Sequence, residues 1–182
     1  MKKLIVLVLF LGLGTYVQAQ ESINWVTFEE AIKLQQKKPK KIFMDVYTDW
    51  CGPCKMLDRQ TFQNADVAKY INEHFYAVKF NGEGKETVTY QGNTYSNPRY
   101  MEGRTGRNSV HEFTKALGVS SYPTMLFFDE TGSLIQPLKG FLRPKQIEIF
   151  LKIFATDDYK KFDTQEKWQE YQANFKGSFS DQ

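Results

Sequence analysis

The sequence predicts an α/β sandwich in which helices flank one mixed central β-sheet. An apolar run at 41–48, a helical stretch from Cys51 and a second apolar run at 76–80 form a β-α-β unit. Its two strands are parallel because a helical crossover joins them. A strand at 124–128 and a strand at 133–138 then form a hairpin before a closing helix. Such a sheet buries its two faces under helices.

The first half of this pattern is defined by helix and strand signals. Thr27, followed three residues later by Glu30, is a capping box that predicts a helix ending before Pro39. The run at 41–48 is almost continuously apolar, as expected for a strand buried on both faces. The next helix extends from Cys51 to about Phe62, and Pro53 is tolerated in its first turn.

Helix caps and a proline define the elements in the second half of the chain. Asn64 caps a further helix before the strand at 76–80. Ser109 and Glu112 resemble another capping box, which opens a helix that ends at Gly118. Pro144 suits the first position of the closing helix.

An irregular segment at about 82–108 interrupts the pattern as an insertion. It is rich in Gly, Asn, Thr, Tyr and Arg, and Gly92-Asn93 predicts the turn of a small hairpin. Because the strands before and after the β-α-β helix end at one edge of the sheet, the insertion is expected beside the cysteines. We hypothesise that its aromatic and basic residues help to select a protein partner; the alternative is a surface loop without that role. These residues are Tyr90, Tyr95, Arg99, Tyr100, Arg104 and Arg107.

The 182 residues predict one domain with two additions. Residues 1–19 resemble a cleaved signal peptide, with Lys2 and Lys3 before an apolar stretch that is too short to span a bilayer. Residues 20–155 form the domain, and 156–182 form a C-terminal extension with one helix and a loose end. We therefore expect export to a bacterial periplasm without a permanent membrane anchor; an uncleaved anchor is the alternative.

The charge balance argues against some partners. The net charge of +3 includes the two lysines of the signal segment, so the rest of the chain is nearly neutral. Nothing in this balance favours nucleic acid or an anionic membrane.

Cys51 and Cys54 are the only cysteines, and their spacing is compatible with half a zinc site, a structural disulfide or a redox pair. Zinc needs four ligands, and His74 and His111 lack the spacing of a zinc site, so we expect no metal. Each histidine is expected on a helix surface or half-packed. A disulfide closing so small a loop adds little stability. A redox pair is therefore favoured.

The chain resembles the thioredoxin superfamily over roughly residues 25–154. The resemblance rests on the Trp50-Cys51-Gly52-Pro53-Cys54-Lys55 motif and on four further residues in the same order as in the family. These are the buried acid Asp45, its facing lysine Lys79, the cis-proline Pro123 after Tyr122, and Gly140 near the substrate groove.

The resemblance implies a role for each of these residues. Cys51 is the exposed attacking thiolate, favoured by the helix N-terminus, and Cys54 is the buried resolving thiol. Asp45 accepts the Cys54 proton, and Lys79 balances its charge. Trp50 shields the site, and Gly52 and Pro53 shape the turn between the cysteines.

The remaining matched residues face the substrate in this interpretation. Pro123 in cis places the backbone before it beside Cys51, where an extended substrate segment can pair with it. Gly140 lies near the same groove. Tyr122 departs from the β-branched residue that is common before this proline in cytoplasmic thioredoxins.

The expected function is that of an exported thiol:disulfide oxidoreductase that reduces protein disulfides. Gly52 and Pro53 resemble the reducing members of the family. The redox-active disulfide is then the only redox group, without a further cofactor, and a membrane-embedded electron donor is implied. Two alternatives stay open: a disulfide oxidase or isomerase, and a binding module whose disulfide is a regulatory latch.

Overall fold

A computed structural model describes residues 21–181 and confirms the α/β sandwich. One sheet of five strands has the order β1-β3-β2-β6-β7, and a separate hairpin pairs β4 with β5. The strands are β1 Trp25–Val26, β2 Lys41–Tyr47, β3 Phe75–Asn81, β4 Val88–Tyr90, β5 Asn93–Tyr95, β6 Thr124–Phe128 and β7 Leu134–Lys139. The helices are α1 Phe28–Lys37, α2 Gly52–Leu57, α3 Ala65–His74, α4 Glu112–Ala116, α5 Pro144–Ala155 and α6 Gln165–Asn174.

Strand β2 lies at the centre of the sheet. It runs parallel to β3, with Asp45 opposite Lys79, and antiparallel to β6, with Asp45 opposite Met125. Six of its seven residues are buried, as the continuous apolar run predicted. An additional edge strand, β1, pairs with Ala77 and Val78 of β3. It has only two residues, which is too short for a periodic pattern to reveal.

The two faces of the sheet bury separate sets of side chains, as the alternation of a strand requires. Phe43 and Phe127 face a cluster formed with α2, α3 and α5. Met44 and Phe128 face the opposite cluster, formed with α1 and α4. Because β2 contributes to both clusters, its register decides which of its side chains points towards the cysteine-bearing helix.

Two of the three side-chain caps are confirmed. The Thr27 hydroxyl accepts from the Glu30 amide at 3.2 Å, and the Glu30 carboxylate accepts from the Thr27 amide at 2.9 Å. Asn64 caps α3. The capping box at Ser109 is wrong: α4 begins two residues later, and the imidazole Nδ1 of His111 accepts from the Phe113 amide at 3.0 Å.

The small hairpin of the insertion forms, but its turn is one residue earlier than predicted. Tyr90 pairs with Asn93, so Gln91 and Gly92 occupy the two turn positions. Both have positive φ angles, 49° and 76°. Positive φ at both central residues is the geometry of the tight turn that best fits the twist of a hairpin.

The helix predicted by the spacing of Trp168, Tyr171 and Phe175 forms as α6, and these side chains pack against the domain core. The loose end predicted after it is wrong. Phe179 is buried, and its amide and that of Ser178 donate to the Glu148 carboxylate at 3.0 and 2.6 Å. A buried acceptor on α5 therefore fixes the last residues of the described chain.

Among residues 21–181, none of the helices combines the length and the apolar character needed to cross a membrane. The signal-peptide prediction for 1–19 lies outside the described residues. The division of the chain at 155 and 156 stays a prediction.

Candidate active site

The two cysteines lie at the start of α2 and form a disulfide. Cys51 is the N-cap residue, and its sulfur accepts from the backbone amide of Cys54 at 3.1 Å. Pro53 occupies the first turn, where its missing N–H would have had no partner in the helix. The free amides and the helix dipole at this end favour a negative charge on the Cys51 sulfur once the disulfide is reduced.

Cys51 was expected to be exposed, but only 2% of its surface is accessible, and 1% of that of Cys54. In the disulfide the Cys51 sulfur is bonded to Cys54 and turned towards the helix amide. Gly52 and Pro53 between them are exposed. The oxidised site therefore presents an exposed Gly-Pro turn above a buried disulfide.

Asp45 lies beneath α2 with no exposed surface. It is two residues from Phe43 on the same face of β2, the face that α2, α3 and α5 cover. Its Oδ2 atom is 3.1 Å from the Lys79 ammonium, but neither carboxyl oxygen accepts a hydrogen bond from a described residue. Burial is the main reason that the pKa of Asp45 is raised to about 6, although Lys79 opposes the shift.

Lys79 makes its hydrogen bond to a second acid, Asp58, which follows directly after α2. The ammonium also lies 5.1 Å from the ring centres of Trp25 and Tyr47 and 5.3 Å from that of Phe62. Such cation–π contacts hold a partly buried ammonium in place. The sequence analysis missed Asp58, which opens a π-helical turn, Asp58–Phe62, between α2 and α3.

The Tyr122–Pro123 peptide bond is cis, and Pro123 is buried directly before β6. The Gly140 amide donates to the Pro123 carbonyl at 2.9 Å, so Gly140 belongs to the same loop cluster. Gly140 has a φ of +91°, which a residue with a side chain adopts only with strain. The structure thus brings the two residues together, while their predicted role in substrate binding stays a prediction.

Tyr122 is half-buried between the cis-proline loop and the insertion. Its ring meets Trp50 edge to face at 6.0 Å, and its hydroxyl lies 3.4 Å from the Gly82 carbonyl. A Cβ atom at position 82 would lie 2.6 Å from the Tyr122 ring, so the close approach requires glycine there. Burial, with the charge of Glu83, raises the pKa of Tyr122 to about 12, and the phenol stays neutral.

The insertion begins beside the dithiol, as expected from the parallel strands. The Trp50 indole N–H donates to the Glu83 carboxylate at 2.9 Å, and the Asn108 amide donates to the same oxygen at 2.6 Å. The two ends of the insertion therefore meet at one buried acid. The Arg107 guanidinium lies over the Trp50 ring, 4.4 Å from its centre. The sequence analysis missed Glu83. Its position just after the carboxyl end of β3 could have identified it, because that end of the strand lies beside the cysteines.

The six residues proposed for partner selection divide into three groups. Tyr90 and Tyr95 are half-buried and pack on Phe113 with ring centres 5.5 Å apart, so they support the fold of the insertion. Arg107 alone among the six contacts a residue of the cysteine motif. The remaining members of the set lie elsewhere on the insertion: Arg99, Tyr100 and Arg104.

Metal binding is not supported by the positions of the histidines. His111 was expected on a helix surface or half-packed, but it is fully buried, and its Nε2 atom lies 2.6 Å from the Glu86 carbonyl. The His74 ring packs against Tyr70 in a tilted arrangement, with ring centres 4.2 Å apart. Within the part of the chain that the structure describes, no three His, Cys, Asp or Glu side chains are grouped to hold a metal ion. Which residues act in catalysis, and the absence of a metal, stay predictions.

Comparison with known proteins relates this fold and dithiol to one family. The family described as "Thioredoxin-like domain" matches residues 28–155. The thiol:disulfide interchange protein DsbD of Photorhabdus laumondii is 26% identical over 141 residues, 73% of this chain and 20% of that protein. The protein of the same name from Escherichia coli strain K12 is 28% identical over 119 residues, 63% of this chain and 17% of that protein. The chain thus spans about a fifth of the length of these relatives.

A solved structure supports the fold. A thioredoxin-fold protein from Helicobacter pylori is 20% identical and has a TM-score of 0.55, covering 74% of this chain and 81% of that one. A putative disulphide-isomerase from Bacteroides thetaiotaomicron is 30% identical and has a TM-score of 0.49, covering 73% and 90%. The resemblance to the thioredoxin superfamily is confirmed, and the chain belongs to the thioredoxin-like domain family.

Proposed function

We propose that this protein is a thiol:disulfide oxidoreductase that reduces disulfide bonds in other proteins. The observation that carries the proposal is the Cys51–Cys54 disulfide at the N-terminus of α2, with the Cys54 amide directed at the Cys51 sulfur. The names of the DsbD relatives, which describe thiol:disulfide interchange, support it.

The reaction begins with the reduced pair. The Cys51 thiolate attacks one sulfur of a substrate disulfide, forms a mixed disulfide, and releases the other substrate sulfur as a thiolate, which takes a proton from water. The Cys54 thiol then loses its proton and attacks the Cys51 sulfur. The mixed disulfide breaks, the second substrate thiol leaves, and two electrons have passed from the pair to the substrate.

Asp45 supplies the base for the second attack. Its pKa of about 6 lets the carboxyl exist in both protonation states near neutral pH, which is what a general base requires. Neither of its oxygens accepts a geometrically formed hydrogen bond from a described residue, so protonation weakens only the ion pair with Lys79. Lys79 lies 3.1 Å away and stabilises the carboxylate before the proton arrives.

The direction of electron flow is proposed from the motif. Gly52 and Pro53 between the cysteines resemble the reducing members of the family, whose potential is about −270 mV against about −120 mV for a strong oxidase. The signal-like segment 1–19 supports work in an exported, oxidising compartment, which we take to be the periplasm. There the oxidised pair would receive two electrons from a membrane-embedded donor, with no cofactor beyond the disulfide.

A disulfide oxidase or isomerase is expected to have a higher Cys51–Cys54 reduction potential than a reductant. A binding module is expected not to reduce insulin catalytically. The test measures insulin reduction, the Cys51–Cys54 reduction potential and the Cys51 pKa on the purified protein. Catalysed insulin reduction with a potential near −270 mV supports the proposal. A potential above about −150 mV with a thiolate pKa near 4 contradicts the reductant role. Absence of insulin reduction contradicts the proposal that the protein is an enzyme.

A matched pair of variants tests the order of attack. Cys54→Ser is expected to accumulate a mixed disulfide with substrate through Cys51, because the resolving thiol is missing. Cys51→Ser is expected to trap none. Equal trapping by the two variants would contradict the assigned roles.

A further inference from the structure

We propose that Arg107 is a specificity residue that selects protein disulfides carrying a carboxylate next to the reacting cysteine. The inference rests on the proposed function and names a substrate class for the same dithiol. Its basis is the position of the Arg107 guanidinium, whose carbon lies over the ring of Trp50, the residue before Cys51.

Arg107 is an exposed side chain whose charge is not used within the protein. It makes no ion pair with any acid among residues 21–181, and its carbon Cζ lies 4.4 Å from the centre of the Trp50 ring. Arginine stays charged at all physiological pH values, and its planar guanidinium presents five N–H donors in a fixed geometry. These N–H groups can bind a carboxylate with two parallel hydrogen bonds.

The backbone that carries Arg107 is fixed. The amide of the next residue, Asn108, donates to Glu83, and the Asn108 side chain bonds to the backbone of Met101 at 2.9 and 3.0 Å. A donor that is already in place loses less conformational entropy when it binds a ligand. Most exposed arginines lack this arrangement, since their side chains are free to rotate.

The other charges close to the dithiol favour the same class of substrate. Lys55 follows Cys54 directly, and Lys139 precedes Gly140; both are exposed and pair with no acid within the described residues. Glu83 is 7% exposed, and its carboxylate is already bound to Trp50 and Asn108. The nearest exposed acid in the sequence, Asp49, accepts a bond from Asn81 at 3.1 Å. Lys55 and Lys139 therefore add positive charge close to the dithiol, opposed by the exposed carboxylate of Asp49.

The test compares two peptides that each contain one disulfide and differ only in having Glu or Gln beside the attacked cysteine. The rate at which the fully reduced protein reduces each peptide is measured by chromatography of quenched samples. Each rate is divided by the rate of reduction of the same peptide by dithiothreitol, which removes the intrinsic effect of the Glu side chain on its disulfide. The wild-type protein is expected to prefer the Glu peptide by about fivefold, as for a partly exposed ion pair of about 1 kcal/mol. The preference should shrink between low and high salt.

Arg107→Gln is expected to reduce both peptides at nearly equal normalised rates. The control is Arg104→Gln, which removes the same charge from the same insertion but contacts the sulfur of Met101 rather than Trp50. It should keep the fivefold preference. Arg107→Lys, which keeps the charge without the planar fork, should keep part of it.

Three results overturn the inference and leave the proposed function intact. They are equal rates in the wild-type protein, a preference retained by Arg107→Gln, and a preference lost to the same extent in Arg104→Gln. Failure to reduce either peptide would overturn the proposed function and this inference with it.

Discussion

The Lys79 ammonium lies 3.1 Å from the Oδ2 atom of Asp45, yet it donates its hydrogen bond elsewhere, to Asp58. Asp45 is left as a fully buried carboxyl with a counter-ion but without a hydrogen bond from the described residues. A carboxyl in that position is easier to protonate than one that is hydrogen-bonded, because desolvation disfavours the charged form.

The first prediction is that Asp45→Asn stabilises the oxidised protein at neutral pH. The folded pKa of about 6 lies above the usual value of 3.8, so the folded state binds more protons at Asp45 between these pH values. The contribution of Asp45 to the free energy of unfolding therefore falls as pH rises from about 4 to about 6, by about 3 kcal/mol in all, and is constant above. Urea unfolding from pH 4 to pH 8 should show this decline as the difference between the wild-type protein and Asp45→Asn.

Asp163→Asn is the control, since Asp163 is exposed and pairs only with Lys167. It should leave the decline between pH 4 and 6 in place. A difference between the wild-type protein and Asp45→Asn that stays constant or rises over this range would contradict the raised pKa of Asp45. Asp45→Asn should also slow the resolving attack by Cys54 while leaving the first attack by Cys51 largely unchanged.

The second prediction concerns Asp58→Asn, which should lower the pKa of Asp45. The change removes a negative charge that raises this pKa, and it frees the Lys79 ammonium for Asp45. The pH range over which stability declines should then move to lower pH. Carboxyl chemical shifts followed by NMR measure the pKa directly. An unchanged or higher pKa would show that Asp58 does not compete for Lys79.

The third prediction concerns the packing of Tyr122 on Gly82. The Gly82 backbone is bonded to Tyr47 at 2.8 Å and to His111 at 2.9 Å, so an added Cβ cannot withdraw from the ring. Gly82→Ala should therefore displace Tyr122 and destabilise the protein by about 1–3 kcal/mol. Because the ring also contacts Trp50, the tryptophan fluorescence should change.

A second substitution tests whether the clash is the cause. Tyr122→Val removes the ring, so the double variant should recover most of the stability lost in Gly82→Ala. Additive losses, measured in the same urea unfolding experiment, would mean that the two positions do not interact.

The centre of the site could be predicted because it depends on long, strongly patterned elements. The apolar run of β2 fixed the position of Asp45, the helical crossover made β3 parallel, and Lys79 came opposite Asp45 as a consequence. The thioredoxin resemblance then identified Pro123. These inferences needed only the spacing of apolar residues within each element and the order of the elements along the chain, both of which can be read from a sequence.

The parts that were missed depend on contacts between distant residues. Glu148 binds amides thirty residues later in the chain, and nothing in a helical pattern distinguishes that acid from an exposed one. Asp58 gains its importance from a π-helical turn that has no sequence signal of its own. Glu83 is similar, because its two donors, Trp50 and Asn108, are far apart in the sequence.

The fourth prediction tests the attachment of the C-terminal end. Glu148 has no exposed side-chain surface and accepts from Lys152, from the amide and hydroxyl of Ser178, and from the amide of Phe179. Glu148→Gln replaces one carboxylate oxygen by an NH₂ group that faces a donor, so the buried hydrogen bonds accepted by that oxygen are lost. We expect a loss of about 1–3 kcal/mol and faster hydrogen exchange at the amides of Ser178 and Phe179.

The pH dependence of this attachment follows from the Glu148 pKa, which its hydrogen bonds keep below its usual value despite burial. A carboxyl with a lowered folded pKa contributes stability above its unfolded pKa, and this is lost as pH falls through the folded value. Protection of the Ser178 amide should therefore be lost only at pH values below the usual titration range of a glutamate. Glu170→Gln, on the exposed side of α6, serves as the control and should leave both amides protected. Protection that survives in Glu148→Gln would mean that Phe179, packed on Tyr70 at 5.8 Å, holds the end by itself.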